Sequence, residues 1–232
     1  GVARPALVRL WGLDSVVRHS VGGAGYGTVR TATFMGLALV RRARGAGPPL
    51  QHLTELTLAE LEQYELPEAL TGAAFLELVP GGTGDAATTV QPSMTYAVAA
   101  CAAHPVAEHE RVTRFSELLS KPESDAQMSE LGSLMLQSHE SYSRLGLGSA
   151  WTDRIVELVR AEGEASGLYG AKITGGGSGG TVCVLGCADA AGEAAFRRVV
   201  DKYRLETRYI PHVFEGSSKG AIEFGLVDMA IQ

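Results

Sequence analysis

The feature that most limits what this chain can fold into is a run of nearly pure glycine set between two apolar, β-branched stretches. It reads Lys172-Ile173-Thr174-Gly175-Gly176-Gly177-Ser178-Gly179-Gly180, and five of its last six residues are glycine. Each glycine costs backbone entropy, roughly 0.5–1 kcal/mol relative to alanine in regular structure. A chain tolerates that cost where φ must be positive or where backbone must approach a neighbour closely. Consecutive N–H groups in such a loop can also form a concave anion site. A purely structural tight connection is the alternative use.

Two nucleotide motifs can be tested against the run. Gly175, Gly177 and Gly180 satisfy G-x-G-x-x-G, but that fingerprint needs a helix after the loop. Here Thr181-Val182-Cys183-Val184-Leu185 follows, a strand pattern. A P-loop needs Gly-Lys-Ser/Thr, and the chain contains no Gly-Lys pair. What remains is a strand–glycine loop–strand hairpin.

The surrounding pattern places this hairpin in an α+β chain. Ala6–Leu13 reads as a buried strand ending at Asp14-Ser15, and Ser20–Gly27 as a second glycine loop. Apolar positions Ala32, Met35, Leu39 and Val40 predict a helix over Thr28–Arg44. Arg41, Arg42 and Arg44 fall in its last turn, where cations suit the helix dipole better than they indicate a phosphate site. Gly45, Gly47, Pro48 and Pro49 end it. Thr57-Leu58-Ala59-Glu60 is a capping box for a short helix ending near Pro67. Pro80–Asp85 reads as a turn and Val90–Val98 as extended chain. Pro105 is expected to open a helix, followed by helices over Asp125–Arg144 and Trp151–Ser166. Strands are then expected at Leu168–Thr174, Thr181–Leu185, Thr207–Val213 and Ile222–Met229, with a helix over Ala188–Arg204 between the second and third.

Composition narrows the function classes. Among 232 residues, 26 acidic side chains outnumber 20 basic ones. That balance argues against nucleic-acid binding, which rests on neutralising phosphates with Lys and Arg. No apolar run approaches the roughly 18–20 residues of a membrane-spanning helix. Three cysteines (Cys101, Cys183, Cys187) do not make a disulfide framework, so a cytoplasmic setting is expected. Cys183 and Cys187 have no neighbouring His or Cys pair in the sequence to complete a zinc site.

Leu168-Tyr169-Gly170-Ala171-Lys172-Ile173 with the glycine loop and Thr181-Val182 resembles the third motif of the GHMP small-molecule kinases. Asp14-Ser15-Val16-Val17-Arg18-His19-Ser20 with Tyr26 resembles the segment that leads into the C-terminal lobe in the galactokinase branch. Thr95–Val98 with His104-Pro105-Val106, Gln137–Tyr142, and Val213–Ser218 are similar to plant-type L-arabinokinases. The matches keep their order across most of the chain.

The resemblance implies a ferredoxin-like GHMP kinase C-terminal domain with a helical insertion. Residues 1–27 would be the end of an N-terminal-lobe strand and the loop out of it, and residues 28–232 the C-terminal domain. It implies an ATP- and Mg²⁺-dependent transfer of phosphoryl to the anomeric hydroxyl of L-arabinose or a related sugar. Tyr26 matches a sugar-contacting tyrosine. Gly175, Gly176, Gly177, Ser178, Gly179 and Gly180 match the loop that braces the triphosphate site through backbone N–H groups, with the Ser178 hydroxyl as a further donor. The family's Ser-Ser-Ser phosphate loop has no counterpart here, nor has its catalytic Asp, so no catalytic residue and no metal ligand is assigned.

The chain begins without Met, and the resemblance makes it the C-terminal part of a larger kinase. It is expected to be inactive without the other lobe and to leave an apolar face around Val8, Leu10, Trp11 and the glycine loops. A galactokinase or uronic-acid kinase is a variant of this reading. A non-catalytic sugar-binding or partner-docking module derived from the lobe is the alternative from another class. Asp14 suits a turn or cap role, His139 a satisfied structural role, and His19 and Ser20 either turn or site. Ala24-Gly25 replaces the galactokinase Ser-Glu, and Lys219 stands where the arabinokinase pattern suggests proline.

Overall fold

The computed structural model describes residues 8–18, 24–45, 48, 50–122, 124–216 and 225. A four-stranded antiparallel sheet organises them. Its strands are β1 (Val8–Asp14), β4 (Leu168–Ile173), β5 (Thr181–Cys187) and β6 (Val213–Phe214), in the order β4-β5-β1-β6. β1 pairs along its whole length with β5, placing Leu10 opposite Leu185 and Gly12 opposite Cys183. β5 pairs with β4 across the glycine hairpin, Ile173 opposite Val182, with an irregularity between Leu168 and Gly170. In chain order the unit is strand, helices, strand, strand, helix, strand, with the first strand between the third and fourth. That is the ferredoxin-like split β-α-β arrangement.

The ferredoxin-like expectation holds, but its strands come from a different part of the chain. Sequence pattern places all four after Leu168; the structure takes one of them, β1, from residues 8–14. The expected strand Ile222–Met229 lies outside the described residues. The expected strand Thr207–Val213 shrinks to two residues because α7 (Ala190–Thr207) runs on to Thr207. Arg154 holds that last turn, donating to both carboxylate oxygens of Glu206.

Both faces of the sheet carry helices. On one, Trp11 and Leu13 of β1 pack with Ile155 and Val159 of α6 (Ala150–Glu162) and Phe196 and Val199 of α7. The Trp11 and Phe196 rings stack at 4.7 Å. On the other, Val8 and Leu185 meet Met128, Leu131 and Met135 of α5 (Asp125–Arg144). Helix α5 lies backbone to backbone on β4: a Cβ on Gly132 would sit 2.1 Å from the Tyr169 carbonyl oxygen, and one on Gly170 2.3 Å from that of Gly132.

The helical insertion forms its own core. α1 (Ala24–Arg44) packs along α4 (Val98–Leu119), with α2 (Leu58–Glu62) and α3 (Gly72–Leu78) against them. The Thr57 capping box opens α2 as expected. Helix α3, capped by Thr71, has too few residues to show a period and was not expected. Of the extended stretch 90–98 only β3 (Thr95–Tyr96) is strand, paired with β2 (Leu70–Thr71), and Val98 already begins α4.

Pro105 lies inside α4, not at its start. A proline at 105 cannot donate to the carbonyl of Cys101. The Thr33 hydroxyl of α1 reaches that carbonyl at 3.0 Å instead, sharing its one proton with the Val29 carbonyl of its own helix at 2.9 Å. The interruption is therefore satisfied from the neighbouring helix. The arginines at the end of α1 are also bound: Arg41 donates to the Leu50 and Gln51 carbonyls, and Arg42 to that of Leu78.

Candidate functional site

The glycine hairpin is held from two sides. Ser178 N–H donates to the Leu147 carbonyl at 2.5 Å, in the turn between α5 and α6. Gly180 N–H donates to the Val17 carbonyl at 3.0 Å, and Ser15 N–H to the Gly180 carbonyl at 2.9 Å, in the turn after β1. These approaches explain two glycines outright. Gly177 has φ +85°, and a Cβ there would lie 2.4 Å from the Leu147 oxygen; Gly179 has φ +136°, and a Cβ would lie 2.8 Å from the Val17 oxygen. Ser178 itself is left-handed, at φ 64°.

The N–H groups of Ser178 and Gly180 are thus consumed by the scaffold. Those of Gly175, Gly176, Gly177 and Gly179 have no acceptor among the described residues. This is the donor set that a phosphate-bearing group or loop could use.

Tyr26 falls in the first turn of α1, because that helix begins at Ala24 where a glycine loop was expected to continue. Its side chain is 37% exposed. A Cβ on Gly176 would meet the Tyr26 ring at 3.5 Å. The structure therefore brings the sugar candidate and the phosphate-loop candidates, 150 positions apart in sequence, into contact distance.

Tyr142 of α5 completes the rim. Its hydroxyl donates to the Gly175 carbonyl at 3.3 Å, and burial pushes its phenol up. Lys172 Nζ stands 5.4 Å from the Tyr142 ring and donates to the Ile173 carbonyl. Behind them, His104 Nδ1 and Ser141 Oγ are 2.7 Å apart, and burial holds His104 below its ordinary range. Glu108 accepts from Ser138 at 2.6 Å and from Arg111 at 2.8 Å. Burial raises its carboxyl, but these two bonds, joined by the charges of Arg111 and Lys172, leave Glu108 below the usual carboxylate range. Arg111 Nη2 is buried with no partner among the described residues.

Asp14 takes the turn role expected of it. Its carboxylate accepts from Val16 N–H at 2.9 Å and pairs with Arg18 at 3.1 Å. Val16 is left-handed at φ 62°, a strained state for a β-branched residue. His139 is buried and bonded on both ring nitrogens, to Ile173 N–H and to Asp153. His19, Ser20, Ser217, Ser218 and Lys219 lie outside the described residues. The sequence reading missed Leu147 and Asp153; the first acts through a carbonyl, which no side-chain pattern reports. Tyr142 and Lys172 stood within matched segments without an assigned role.

Beside the hairpin the sheet is open. One cleft of about 820 Å³ is lined by Leu10, Gly12, Thr174, Thr181, His212 and Phe214. A second, of about 510 Å³, runs between α4 and the sheet past Leu10, Val112, Phe115, Met135 and Lys172. The expected apolar face is thus present but differently composed. Leu10 is 42% exposed, with Val112 and Phe214 beside it, whereas Val8 and Trp11 are in the core. Among the described residues, no group of three or more His, Cys, Asp or Glu could hold a metal ion. None of their helices is long and apolar enough to cross a membrane.

Comparison with known proteins agrees with this arrangement. L-arabinokinase from Arabidopsis thaliana is 38% identical over 95% of this chain and 25% of its own length. A galactokinase from Chloroflexus aurantiacus is 28% identical over 88% of this chain and 43% of its own. The chain therefore spans less than half of the curated relatives it matches. In fold it resembles the crystal structure of Lactococcus lactis galactokinase complexed with galactose. The TM-score is 0.62 at 19% identity, covering 90% of this chain and 44% of that one. The family model for the GHMP kinases C terminal matches residues 118–205, which hold α5, α6, the glycine hairpin and most of α7. The chain carries a GHMP kinase C-terminal domain.

Proposed function

We propose that this chain is the C-terminal part of an ATP-dependent sugar-1-kinase that phosphorylates the anomeric hydroxyl of L-arabinose or a closely related sugar. The observation that carries this is the closeness of the Tyr26 ring to Gly176, where an added Cβ would meet it at 3.5 Å. It sets a hydroxyl-bearing aromatic beside a loop with four N–H donors that have no acceptor among the described residues, as a sugar next to a polyphosphate requires. The 38% identity to an L-arabinokinase supports arabinose as the first sugar to try.

In this reading each residue has a limited task. Tyr26 donates and accepts hydrogen bonds with sugar hydroxyls. The N–H groups of Gly175, Gly176, Gly177 and Gly179 brace the phosphate-bearing segment of the other lobe. Tyr142 and Lys172 hold the rim of the hairpin. Bound ATP with Mg²⁺ would supply the γ-phosphoryl group and offset its charge, and no described residue of this chain is assigned to hold the metal. Phosphoryl transfer depends chiefly on such positioning and charge stabilisation. The open face around Leu10, Val112 and Phe214 suits cover by that lobe.

The test is ADP release with L-arabinose, galactose and galacturonate, measured for this chain alone and for the full reading frame that contains it. Turnover by the full protein and none by the chain is expected. Robust turnover by the chain alone would refute the two-lobe requirement. No turnover by the full protein on any of the three sugars would overturn the kinase reading. A non-catalytic module would instead bind sugar without releasing ADP.

A further inference from the structure

His139 is the buried titratable group to which the reading above gives no task. It lies on α5 and is 4% exposed. Its Nδ1 accepts the N–H of Ile173 at 3.2 Å, at the last residue of β4 before the hairpin. Its Nε2 lies 3.1 Å from Asp153 Oδ1 on α6. A backbone N–H can only donate, so Nδ1 is unprotonated and the ring proton sits on Nε2, facing the carboxylate. Asp153 also accepts from Ser143 Oγ at 2.8 Å. Together these close the turn between α5 and α6. Gly148 sits so tightly in it that a Cβ would lie 2.5 Å from Ser143 Oγ and 2.8 Å from Asp153 Oδ1. The same turn presents the Leu147 carbonyl that takes the Ser178 N–H.

We propose that His139 is the positioning residue of the glycine hairpin, a neutral imidazole that holds Ile173 directly and Ser178 by way of Asp153 and Leu147. The hairpin is thereby fixed at its base and near its tip by one side chain. The charged groups facing the ring are Asp153 and Arg160 from α6 and Lys172 from β4. Burial, joined by Lys172 and Arg160, outweighs the pull of Asp153 and keeps the imidazole below its ordinary range. Protonation at Nδ1 would set one N–H against another and release Ile173. Acid therefore loosens the hairpin before it unfolds the domain. Its effect on catalysis rests on the kinase reading above; the hairpin's own mobility does not.

The experiment is amide hydrogen exchange of the chain, without nucleotide, comparing wild type with His139→Ala and His139→Asn. Asparagine places an oxygen near the position of Nδ1 but neither reaches Asp153 nor titrates. His139→Ala should raise exchange of the bonded hairpin amides, those of Ile173, Thr174, Ser178 and Gly180, about five- to tenfold, the loss of one to two hydrogen bonds. Amides of α7, on the opposite face of the sheet, should stay protected. In wild type the hairpin should lose protection as pH falls below the ordinary imidazole value of about 6.5, beyond the intrinsic change in exchange. His139→Asn should abolish that pH dependence. Unchanged hairpin exchange in His139→Ala, with α7 still protected, would overturn the proposal. So would a pH dependence that persists in His139→Asn, which decides the matter alone if the alanine variant does not fold. A kinase reading that fails leaves these results untouched.

Discussion

Replacing Gly132 with alanine should destabilise the domain, although alanine is the better helix former. The new Cβ would lie 2.1 Å from the Tyr169 oxygen and 2.4 Å from its carbonyl carbon. Both belong to strand backbone and cannot rotate away. Helix α5 must therefore withdraw by roughly 1 Å, and overpacking of this kind costs about 1–3 kcal/mol. The propensity gain returns about 1 kcal/mol. A net loss of up to about 2 kcal/mol follows. Gly27 is the internal control, a helical glycine of α1 whose Cβ would meet nothing within 4 Å. Gly27→Ala should stabilise by about 0.5–1 kcal/mol. Urea unfolding of both variants at constant m gives the two signs directly. The withdrawal also reaches the site, because His139 lies roughly two turns further along α5. A stabilised Gly132→Ala, like that expected of Gly27→Ala, would refute the close contact between α5 and β4.

Other consequences are as specific. Thr33→Val should cost about 1 kcal/mol, since it removes the proton that the Cys101 carbonyl beside Pro105 shares with the Val29 carbonyl; urea midpoints of the variant and wild type measure it. Burial pushes the Cys101 thiol up to about 11, so it should stay unreactive toward a thiol reagent at pH 8 until the chain unfolds, as mass spectrometry of labelled peptides would report. His104 and His139 are both held below their ordinary range by burial, so their neutral forms favour folding. That contribution is fully present above about pH 6.5 and is lost as pH falls toward the folded values. The urea midpoint should fall as pH drops below about 6.5, and less so in His104→Asn.

Much of this was readable from the sequence, for physical reasons that differ along the chain. Helix α5 was legible to the residue because its period is strong and Ser124 with Gln127 caps it. The glycine hairpin was legible because entropy forbids so many glycines without a geometric need. Pro105 misled because the partner that satisfies its missing bond, Thr33, is 72 positions away on another helix. The short strand at Val213–Phe214 misled because an ion pair to Glu206 extends α7 past its local pattern. Tyr26 was singled out by resemblance, yet its place against Gly176 needed the helix to start earlier than the glycines suggest. The role of His139 was not legible, since a lone histidine on a helix reports neither of its partners.

Amide exchange of Gly175–Gly180 in the full-length protein, with and without Mg-ATP and L-arabinose, probes the nucleotide role of the hairpin most directly. The N–H groups of Gly175, Gly176, Gly177 and Gly179, which have no acceptor among the described residues, should gain protection when both ligands are present, with the Tyr26 segment protected by sugar alone. Ligand-saturated protein in which the hairpin exchanges as fast as before would contradict that role.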